Sequence, residues 1–202
     1  MSRWSAVERS LRGDGIRLIA GVDEVGRGPL AGPVFACAVI MPPDARAIAG
    51  VEDSKKLSAA ERERLARRIR EKAVCVALGA ASVREIAVLN IYQATALAMR
   101  RALRRLAQRP EAVLVDGKPI KTLGVAHQAF VGGDSRIYSI ACASIVAKVA
   151  RDRLMRQLAV RYPAYGWEQN AGYGTARHME ALRGEGLTPH HRVSFCDGIL
   201  NG

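Results

Sequence analysis

The sequence predicts an α/β fold in which helices flank a sheet. Short apolar β-rich segments alternate with longer helical patterns along the 202 residues. The apolar fraction of 49% is sufficient for a continuous core in a chain of this length. Acidic residues also follow three of the apolar segments, at the positions where the strands of such a sheet would end.

Five segments have the composition of β-strands. Arg17–Val25 and Val34–Met41 are joined by a short turn rich in glycine and proline, which favours an antiparallel pair. Val74–Ala80 has a similar character, and two further strands are expected at Ala112–Val115 and Val125–Val131.

Helical periodicity accounts for much of the remaining chain. Ser58–Lys72 begins with a capping-box pattern and carries several arginines around an apolar face. Further helices are expected at about Asn90–Gln108, at about Ser139–Val160 and at Thr175–Arg183. We expect Tyr162–Gly174, which is rich in glycine and tyrosine, to form a loop over the sheet.

The charge balance favours a polyanionic partner. Lys and Arg number 31 against 19 Asp and Glu, which gives a formal net charge of +12. So positive a field attracts nucleic acid. Because a surplus of basic residues also serves solubility, the charge alone does not identify the partner.

Cysteine and histidine usage argues against several other classes of protein. The cysteines are Cys37, Cys75, Cys142 and Cys196. They lie far apart without a C-x-x-C pair, so we expect reduced core thiols rather than zinc ligands or disulfides. Adjacent histidines rarely chelate one ion, so we interpret His190 and His191 as structural or substrate-side contacts.

The distribution of charge also argues against a membrane protein. The first twenty residues carry charged side chains throughout, and no apolar run approaches the length of a membrane span. We therefore expect a cytoplasmic protein that does not engage membranes. Since no exposed heptad pattern is visible, we expect a monomer.

Four acidic residues define the candidate site. Asp23 and Glu24 end one apolar strand, Asp116 ends another, and Asp134 follows a third. Because the carboxyl ends of neighbouring strands form the ligand crevice of an open α/β sheet, these acids can converge. Converging carboxylates repel unless divalent cations lie between them, and hard oxygen ligands select Mg²⁺ or Mn²⁺. Ordinary turn chemistry explains Asp116 or Asp134 when either is taken singly.

The two adjacent acids pose a geometric problem, because neighbouring residues of a strand point to opposite faces. We expect the strand to end or bulge at Asp23 and Glu24, which Gly26 and Gly28 would permit. Alternatively, Glu24 contributes its backbone carbonyl. Glycines on both sides of Arg27 also remove the Cβ atoms that would keep the backbone away from a bound phosphate.

Seven motifs are distributed in order over nearly the whole chain. They are GVDEVGRGPLAGP from Gly21, DSKKLS from Asp53, LNIYQAT from Leu89, DGK from Asp116, GGDSRIYSIACASIVAKVARDR from Gly132, GYGT from Gly172 and PHHRVSF from Pro189. In this combination the chain resembles the bacterial ribonuclease HII family. One departure is Ala171, where many relatives have a lysine.

The resemblance implies a ribonuclease H-like fold, with a five-stranded mixed sheet flanked by helices and a small helical C-terminal part. It also implies that residues 1–202 form a single catalytic domain. Its core would span about 15–165, and the C-terminal loop and helices about 166–202.

The resemblance also implies an activity. This is endonucleolytic cleavage of the RNA strand of RNA/DNA hybrids and cleavage 5′ of single ribonucleotides embedded in duplex DNA. Two divalent cations would activate a water and stabilise the leaving 3′-oxygen, which leaves 3′-hydroxyl and 5′-phosphate ends. The implied catalytic residues and metal ligands are Asp23, Glu24, Asp116 and Asp134.

Further residues are implied to contact the substrate. In the family the turn Gly26, Arg27 and Gly28 contacts the ribose 2′-hydroxyl, which distinguishes RNA from DNA. The tyrosine that matches Tyr173 reads the RNA-to-DNA junction, and the loop that carries Lys55 lies near the substrate. Without the resemblance, Lys55 would be interpreted as part of a surface turn and Tyr173 as a ring that covers apolar surface.

A phosphate-binding face is expected on the longest helix. Ser144 and Lys148 lie four residues apart and therefore face the same way, with Ser139 and Arg151 near that face. A solvated helix face is the alternative interpretation.

Two other functions remain open at this point. Another ribonuclease H-like nuclease, such as a junction resolvase or transposase core, would also use strand-end carboxylates and metal. The chemistry of such a nuclease does not explain why the Gly-Arg-Gly turn and Tyr173 occur together. A non-catalytic nucleic-acid-binding protein would share the basic surface, but it has no need of four acids at strand ends.

Overall fold

The computed structural model describes residues 5–200, and its centre is one five-stranded sheet. The strands are β1 (Ile19–Val25), β2 (Val34–Ile40), β3 (Cys75–Ala81), β4 (Ala112–Asp116) and β5 (Gln128–Phe130). Their order is β3-β2-β1-β4-β5. The β1–β2 pair is antiparallel, as predicted, and so is β2–β3, whereas β1–β4 and β4–β5 are parallel. The carboxyl ends of β1, β4 and β5 therefore lie at the same edge of a mixed sheet.

Seven α-helices occur within residues 5–200. They are α1 (Ala6–Gly13), α2 (Ala59–Lys72), α3 (Val83–Arg104), α4 (Tyr138–Arg161), α5 (Trp167–Asn170), α6 (Ala176–Glu185) and α7 (Val193–Leu200). None of them is both long and apolar enough to cross a membrane. The four predicted helices are α2, α3, α4 and α6, whereas the residue pattern did not predict α1, α5 or α7.

Helix α3 begins seven residues before its predicted start at Asn90. Ser82 and Glu85 form a capping box at its true N-terminus. Asn90 lies at a kink inside the helix with φ of 65°, and its Oδ1 accepts a hydrogen bond of 3.1 Å from the Gln93 N–H. The predicted start therefore corresponds to the kink, where a second capping-type contact restarts the helix.

The helices cover both faces of the sheet. Ala36 and Ala38 of β2 pack in the core formed with α3, whereas Cys37 and Val39 pack in the core formed with α2 and α4. This alternation follows from the period of two in a strand and explains why β2 is apolar throughout. A Cβ on Gly21 of β1 would lie 2.1 Å from the carbonyl carbon of Ser139, so only glycine permits this approach of α4.

The segment Tyr162–Gly174 does not form the predicted loop over the sheet. It contains a 3₁₀ turn, Pro163–Tyr165, and the short helix α5. The rings of Tyr165 and Trp167 are buried in a separate core cluster with side chains from α4, α6 and α7. Burial of these two rings therefore holds the segment against α4.

Helix α1 is fixed to the start of α4 by Glu8, whose side chain is fully buried. Its carboxylate accepts hydrogen bonds from the N–H groups of Tyr138 at 3.2 Å and Ser139 at 2.8 Å. The residue before α4, Ile137, provides no side-chain cap. Glu8 therefore supplies from a distant part of the chain the cap that α4 lacks locally, and its charge complements the helix dipole.

We predict that Glu8→Ala lowers the free energy of unfolding by about 2 to 3 kcal/mol, because it leaves two buried N–H groups without an acceptor. The matched control is Glu61→Ala, which removes an exposed capping-box glutamate from α2 and should cost about 1 kcal/mol or less. Urea denaturation of both variants gives the comparison. Equal losses would show that Glu8 does no more than cap its own helix.

Candidate active site

A cavity of about 280 Å³ opens at the edge of the sheet where β1 and β4 end. All four predicted acids line this cavity, and so do four of the predicted substrate-binding residues. These eight residues are Asp23, Glu24, Asp116, Asp134, Lys55, Ser144, Lys148 and Tyr173. The structure thus brings together residues that are distant in the sequence, from Asp23 to Tyr173.

The strand register places the first acids side by side. Val22 of β1 pairs with Val115 of β4, and the next residues along the two parallel strands are Asp23 and Asp116. Carboxylate oxygens of Asp23, Glu24 and Asp116 lie within 4.8 Å of one another. The carboxylates of these three residues could therefore share one cation.

The expected end or bulge of β1 at the adjacent acids is wrong. Asp23 and Glu24 continue the regular antiparallel pairing with β2, opposite Cys37 and Ala36, and β1 extends to Val25. The paired region with β4, by contrast, stops at Val22. Because no strand pairs with the two acids on the β4 side, their side chains can reach the same space without a bulge.

Asp134 enters the cavity from the 3₁₀ turn Gly133–Ser135, which follows β5. The turn is held to β4 because the Gly133 N–H donates a hydrogen bond of 2.6 Å to Asp116 Oδ1. Asp134 lies outside the close group of three acids, and its Oδ2 is 3.4 Å from Lys55 Nζ. The fourth acid thus reaches the site paired with Lys55, the lysine that the family resemblance implies to lie near the substrate.

Burial and mutual repulsion disfavour the ionised forms of these acids in the absence of a cation. Burial raises the pKa of Asp23 well above its ordinary value, and the neighbouring Glu24 and Asp116 raise it further. Burial also raises the pKa of Glu24, although Arg27 opposes this effect, and burial raises that of Asp116. A divalent cation among these oxygens would reverse the shifts.

The donor set fits a hard cation. The cavity is lined by carboxylate, hydroxyl and ammonium groups, and no cysteine or histidine of the described residues lines it. Carboxylate oxygens without sulfur or imidazole suit Mg²⁺ or Mn²⁺ rather than zinc.

Ser144 and Lys148 of α4 both line the cavity, as their spacing predicted. Ser144 Oγ lies 2.9 Å from Ser54 Oγ, and its hydrogen bond to Asp23 favours the ionised carboxylate and lowers the pKa of that residue. Ser54 was not singled out in the sequence. Lys148 Nζ lies 2.8 Å from Asp152 Oδ1, so its charge is held in place by an ion pair with the next turn of the helix.

Two further residues of α4 do not belong to the predicted phosphate-binding face. Ser139 is fully buried where the helix crosses Gly21. Arg151 is also fully buried, and its guanidinium donates to the backbone carbonyls of Pro33, Ala31 and Ala171 at 2.8 to 3.0 Å. Arg151 therefore stabilises the loops beside the cavity and does not face a ligand.

The Gly-Arg-Gly turn lies next to the cavity, and its two glycines have different roles. Gly26 has φ of 91°, and a Cβ there would lie 2.1 Å from Arg151 Nε. This glycine is required by the buried arginine rather than by a sugar. At Gly28 the nearest atom to an added Cβ is Cε1 of Tyr173, at 3.7 Å. The turn and Tyr173 are thus neighbours at the mouth of the site.

Tyr173 has an anchored backbone, although the residue is 45% exposed. Its carbonyl accepts hydrogen bonds from the Thr175 N–H at 2.8 Å and from His178 Nδ1 at 2.9 Å. His178 Nε2 then serves as acceptor for Trp167 Nε1 at 3.2 Å and for His191 Nε2 at 3.0 Å. This network supports the structural interpretation of His191, and burial lowers its pKa to about 4, so the network is uncharged at neutral pH.

Comparisons with known proteins agree on one family. A family model described as Ribonuclease HII matches residues 20–198. The chain is 54% identical to "Ribonuclease HII" of Thermosynechococcus vestitus over 92% of this chain and 87% of that protein. It is 54% identical to "Ribonuclease HII" of Granulibacter bethesdensis over 88% of this chain and 83% of that protein.

A solved structure supports the same relationship. The crystal structure of ribonuclease H2 from Pyrococcus horikoshii OT3 superimposes with a TM-score of 0.77 at 27% sequence identity. The likeness covers 91% of this chain and 97% of that one. The predicted ribonuclease H-like fold, with its five-stranded mixed sheet flanked by helices, is thereby confirmed.

We predict that Asp23→Asn stabilises the metal-free protein at pH 7. Because the folded state raises the pKa of Asp23 above its ordinary 3.8, its contribution to stability is present below pH 3.8. It is lost as the pH rises through the raised value. The neutral amide of asparagine does not ionise and therefore avoids this loss. The free energy of unfolding of Asp23→Asn should exceed that of the unsubstituted protein by at least about 1 kcal/mol at pH 7, and the difference should vanish near pH 3.

Urea denaturation in EDTA at pH 7 and pH 3 measures the effect. Asp44→Asn is the matched control, because Asp44 is an exposed carboxylate paired with Arg17 and offers no such gain. A loss of stability in Asp23→Asn at pH 7 would contradict the electrostatic description of the site.

Proposed function

The chain belongs to the ribonuclease HII family, and from this premise we propose how its site acts. It is an endoribonuclease of RNA/DNA hybrids. We propose further that it cuts 5′ of single ribonucleotides embedded in duplex DNA and leaves 3′-hydroxyl and 5′-phosphate ends. The observation that carries the proposal is the cavity that gathers the four carboxylates and Tyr173 beside the Gly-Arg-Gly turn.

The proposed catalytic residues are the four acids, which would hold Mg²⁺ or Mn²⁺ in a two-metal site. Such ions activate a water and stabilise the leaving 3′-oxygen when they are bound. The raised pKa values of Asp23, Glu24 and Asp116 support this assignment, because the cluster needs cationic compensation at neutral pH. No side-chain nucleophile is required, and the chemistry does not involve the buried cysteines.

Two lysines would place the substrate phosphates near the acids. Lys55 is 81% exposed and only 3.4 Å from Asp134, so its ammonium can contact a phosphate without leaving that carboxylate. Lys148 is held by Asp152 on the α4 side of the cavity, next to Ser144. These groups contact phosphate and carry no sequence information, so they position the strand for in-line attack.

Recognition of the ribonucleotide is proposed to lie with Tyr173 and the Gly-Arg-Gly turn. The Tyr173 ring is exposed although its backbone is fixed, which suits stacking on a sugar at the junction. Backbone N–H groups of the turn can donate to the 2′-hydroxyl, the group that separates RNA from DNA. The hybrid and the ribonucleotide-containing duplex are therefore the proposed substrates.

Family membership removes the two rival functions. A junction resolvase or transposase core is a different nuclease, and a non-catalytic nucleic-acid-binding module is not an enzyme. The single catalytic domain, the monomeric state and the cytoplasmic location remain proposals from the sequence.

We expect cleavage of a DNA duplex that carries one ribonucleotide and none of the same all-DNA duplex in Mg²⁺. Asp23→Asn should lower the cleavage rate at least about 100-fold, because metal-assisted charge stabilisation contributes several kcal/mol. Asp44→Asn, on the surface, should retain full activity. Gel analysis of the products should place the cut 5′ of the ribonucleotide. Equal cutting of both duplexes, or binding without cutting, would overturn the proposal.

We also predict that Tyr173→Ala lowers kcat/KM at an isolated ribonucleotide by about tenfold and changes overall duplex affinity much less, because its contacts are made at the junction. Tyr92→Ala is the matched control, since Tyr92 is 41% exposed on α3 and Tyr173 is 45% exposed. Steady-state cleavage and equilibrium binding of the same labelled duplex separate the two effects. A loss of affinity alone, with the junction preference intact, would disprove this role of Tyr173.

A further inference from the structure

Arg192 is a buried cation without a carboxylate partner among residues 5–200. The residue is 2% exposed, and its guanidinium donates only to backbone carbonyls of the loop that follows β1. The acceptors are Gly26 O at 2.5 Å, Arg27 O at 2.8 Å and Gly32 O at 2.8 and 3.0 Å. Burial of an unpaired charge costs several kcal/mol, and an apolar side chain would fill the same space without that cost. Its contacts with the turn are therefore the feature to be explained.

The geometry of the peptide group explains what these contacts do. In a trans peptide the C=O and the following N–H point in opposite directions. Because Arg192 draws the carbonyls of Gly26 and Arg27 inward, the N–H groups of Arg27 and Gly28 face away from it. Both residues are exposed, and neither N–H donates a hydrogen bond within the described part of the chain. Two successive free N–H groups of this kind form a binding site for an oxygen or an anion.

A second buried arginine lies beneath the same turn. Arg151 Nε occupies the place of a side chain on Gly26, and its guanidinium joins this loop to Ala171, two residues before Tyr173. Burial and the charge of Arg151 lower the pKa of Arg192 to about 10, which leaves Arg192 cationic at neutral pH. An arginine such as Arg151 stays protonated in proteins. Two positive charges under the turn therefore favour the approach of a phosphate-bearing strand.

We infer that Arg192 is a positioning residue for ribose recognition, which holds the Gly26 and Arg27 carbonyls inward so that two N–H groups of the turn face the substrate. Arg192 itself does not touch the substrate. The inference rests on the proposed function of the turn as the reader of the 2′-hydroxyl.

The test compares affinities in an Asp23→Asn background, in which cleavage is suppressed. The duplexes are one that carries a single ribonucleotide and the same sequence in all-DNA form, and the measured quantity is their Kd ratio. Arg192→Lys keeps the charge but loses the planar fork, and Arg192→Met keeps the length but loses the charge. Both should lower the preference for the ribonucleotide by about three- to tenfold, the range for loss of backbone hydrogen bonds. Arg192→Lys should change the affinity for the all-DNA duplex by less than about twofold, because its charge is retained.

Arg101→Lys and Arg101→Met are the matched controls. Arg101 lies on α3, which covers the face of the sheet opposite α4. Its guanidinium donates to a backbone carbonyl, Ala80 O at 2.7 Å, and pairs with Glu85. These variants should lower thermal stability and leave the Kd ratio unchanged. If the role of Arg192 were only structural, Arg192→Lys and Arg192→Met would likewise lower thermal stability and leave the Kd ratio unchanged.

The outcomes separate the inference from the proposed function. A Kd ratio of one in the background protein with Arg192 intact would overturn both, because there would be no ribose recognition to position. A high ratio that persists in the Arg192 variants would overturn the inference alone. If Arg192→Met does not fold, Arg192→Lys decides between these results.

Discussion

The repulsion among buried carboxylates at the end of β1 and β4 is the constraint on which the site depends. The parallel register brings Asp23 beside Asp116, and burial makes their charges costly without a cation. A surface cluster of the same acids would be screened by water and would need no such compensation. The cluster is therefore a consequence of the sheet, because the apolar strands that bury these acids also fix the distances between them.

Helix α4 connects the separate parts of the site. Its first turn is capped by Glu8 and packs on Gly21, and its middle supplies Ser144 and Lys148. About one turn after Lys148, Arg151 passes beneath the Gly-Arg-Gly turn. One rigid helix thus sets the acids, the proposed phosphate-binding groups and the proposed recognition loop relative to one another. Such support from rigid elements is what a site of this precision requires.

The groups proposed to recognise the ribonucleotide are backbone N–H groups of the Gly-Arg-Gly turn and the ring of Tyr173, and the side chains that hold them in place lie underneath. Arg192 binds the inner carbonyls of the turn, and His178 binds the carbonyl of Tyr173. Both side chains are buried and neither lines the cavity. Under the proposed function, a substitution at either position is expected to alter recognition without removing a group that contacts the substrate.

The sequence by itself determined the five strands, the antiparallel β1–β2 pair, the long helix and the acids at the strand ends, because strand composition, turn residues and helical periodicity are local signals. Only the tertiary structure decided the contacts of Arg151, which the sequence placed near a phosphate-binding helix face, and of Arg192, to which no residue pattern assigned a separate role. It also decided the placement of α1 and the regular pairing of β1 at Asp23. The contacts of the two arginines and the placement of α1 depend on hydrogen bonds between distant residues, such as Glu8 to Ser139, 131 positions apart, and Arg192 to Gly26, 166 positions apart. Contacts of this range leave no periodic or capping pattern near either residue.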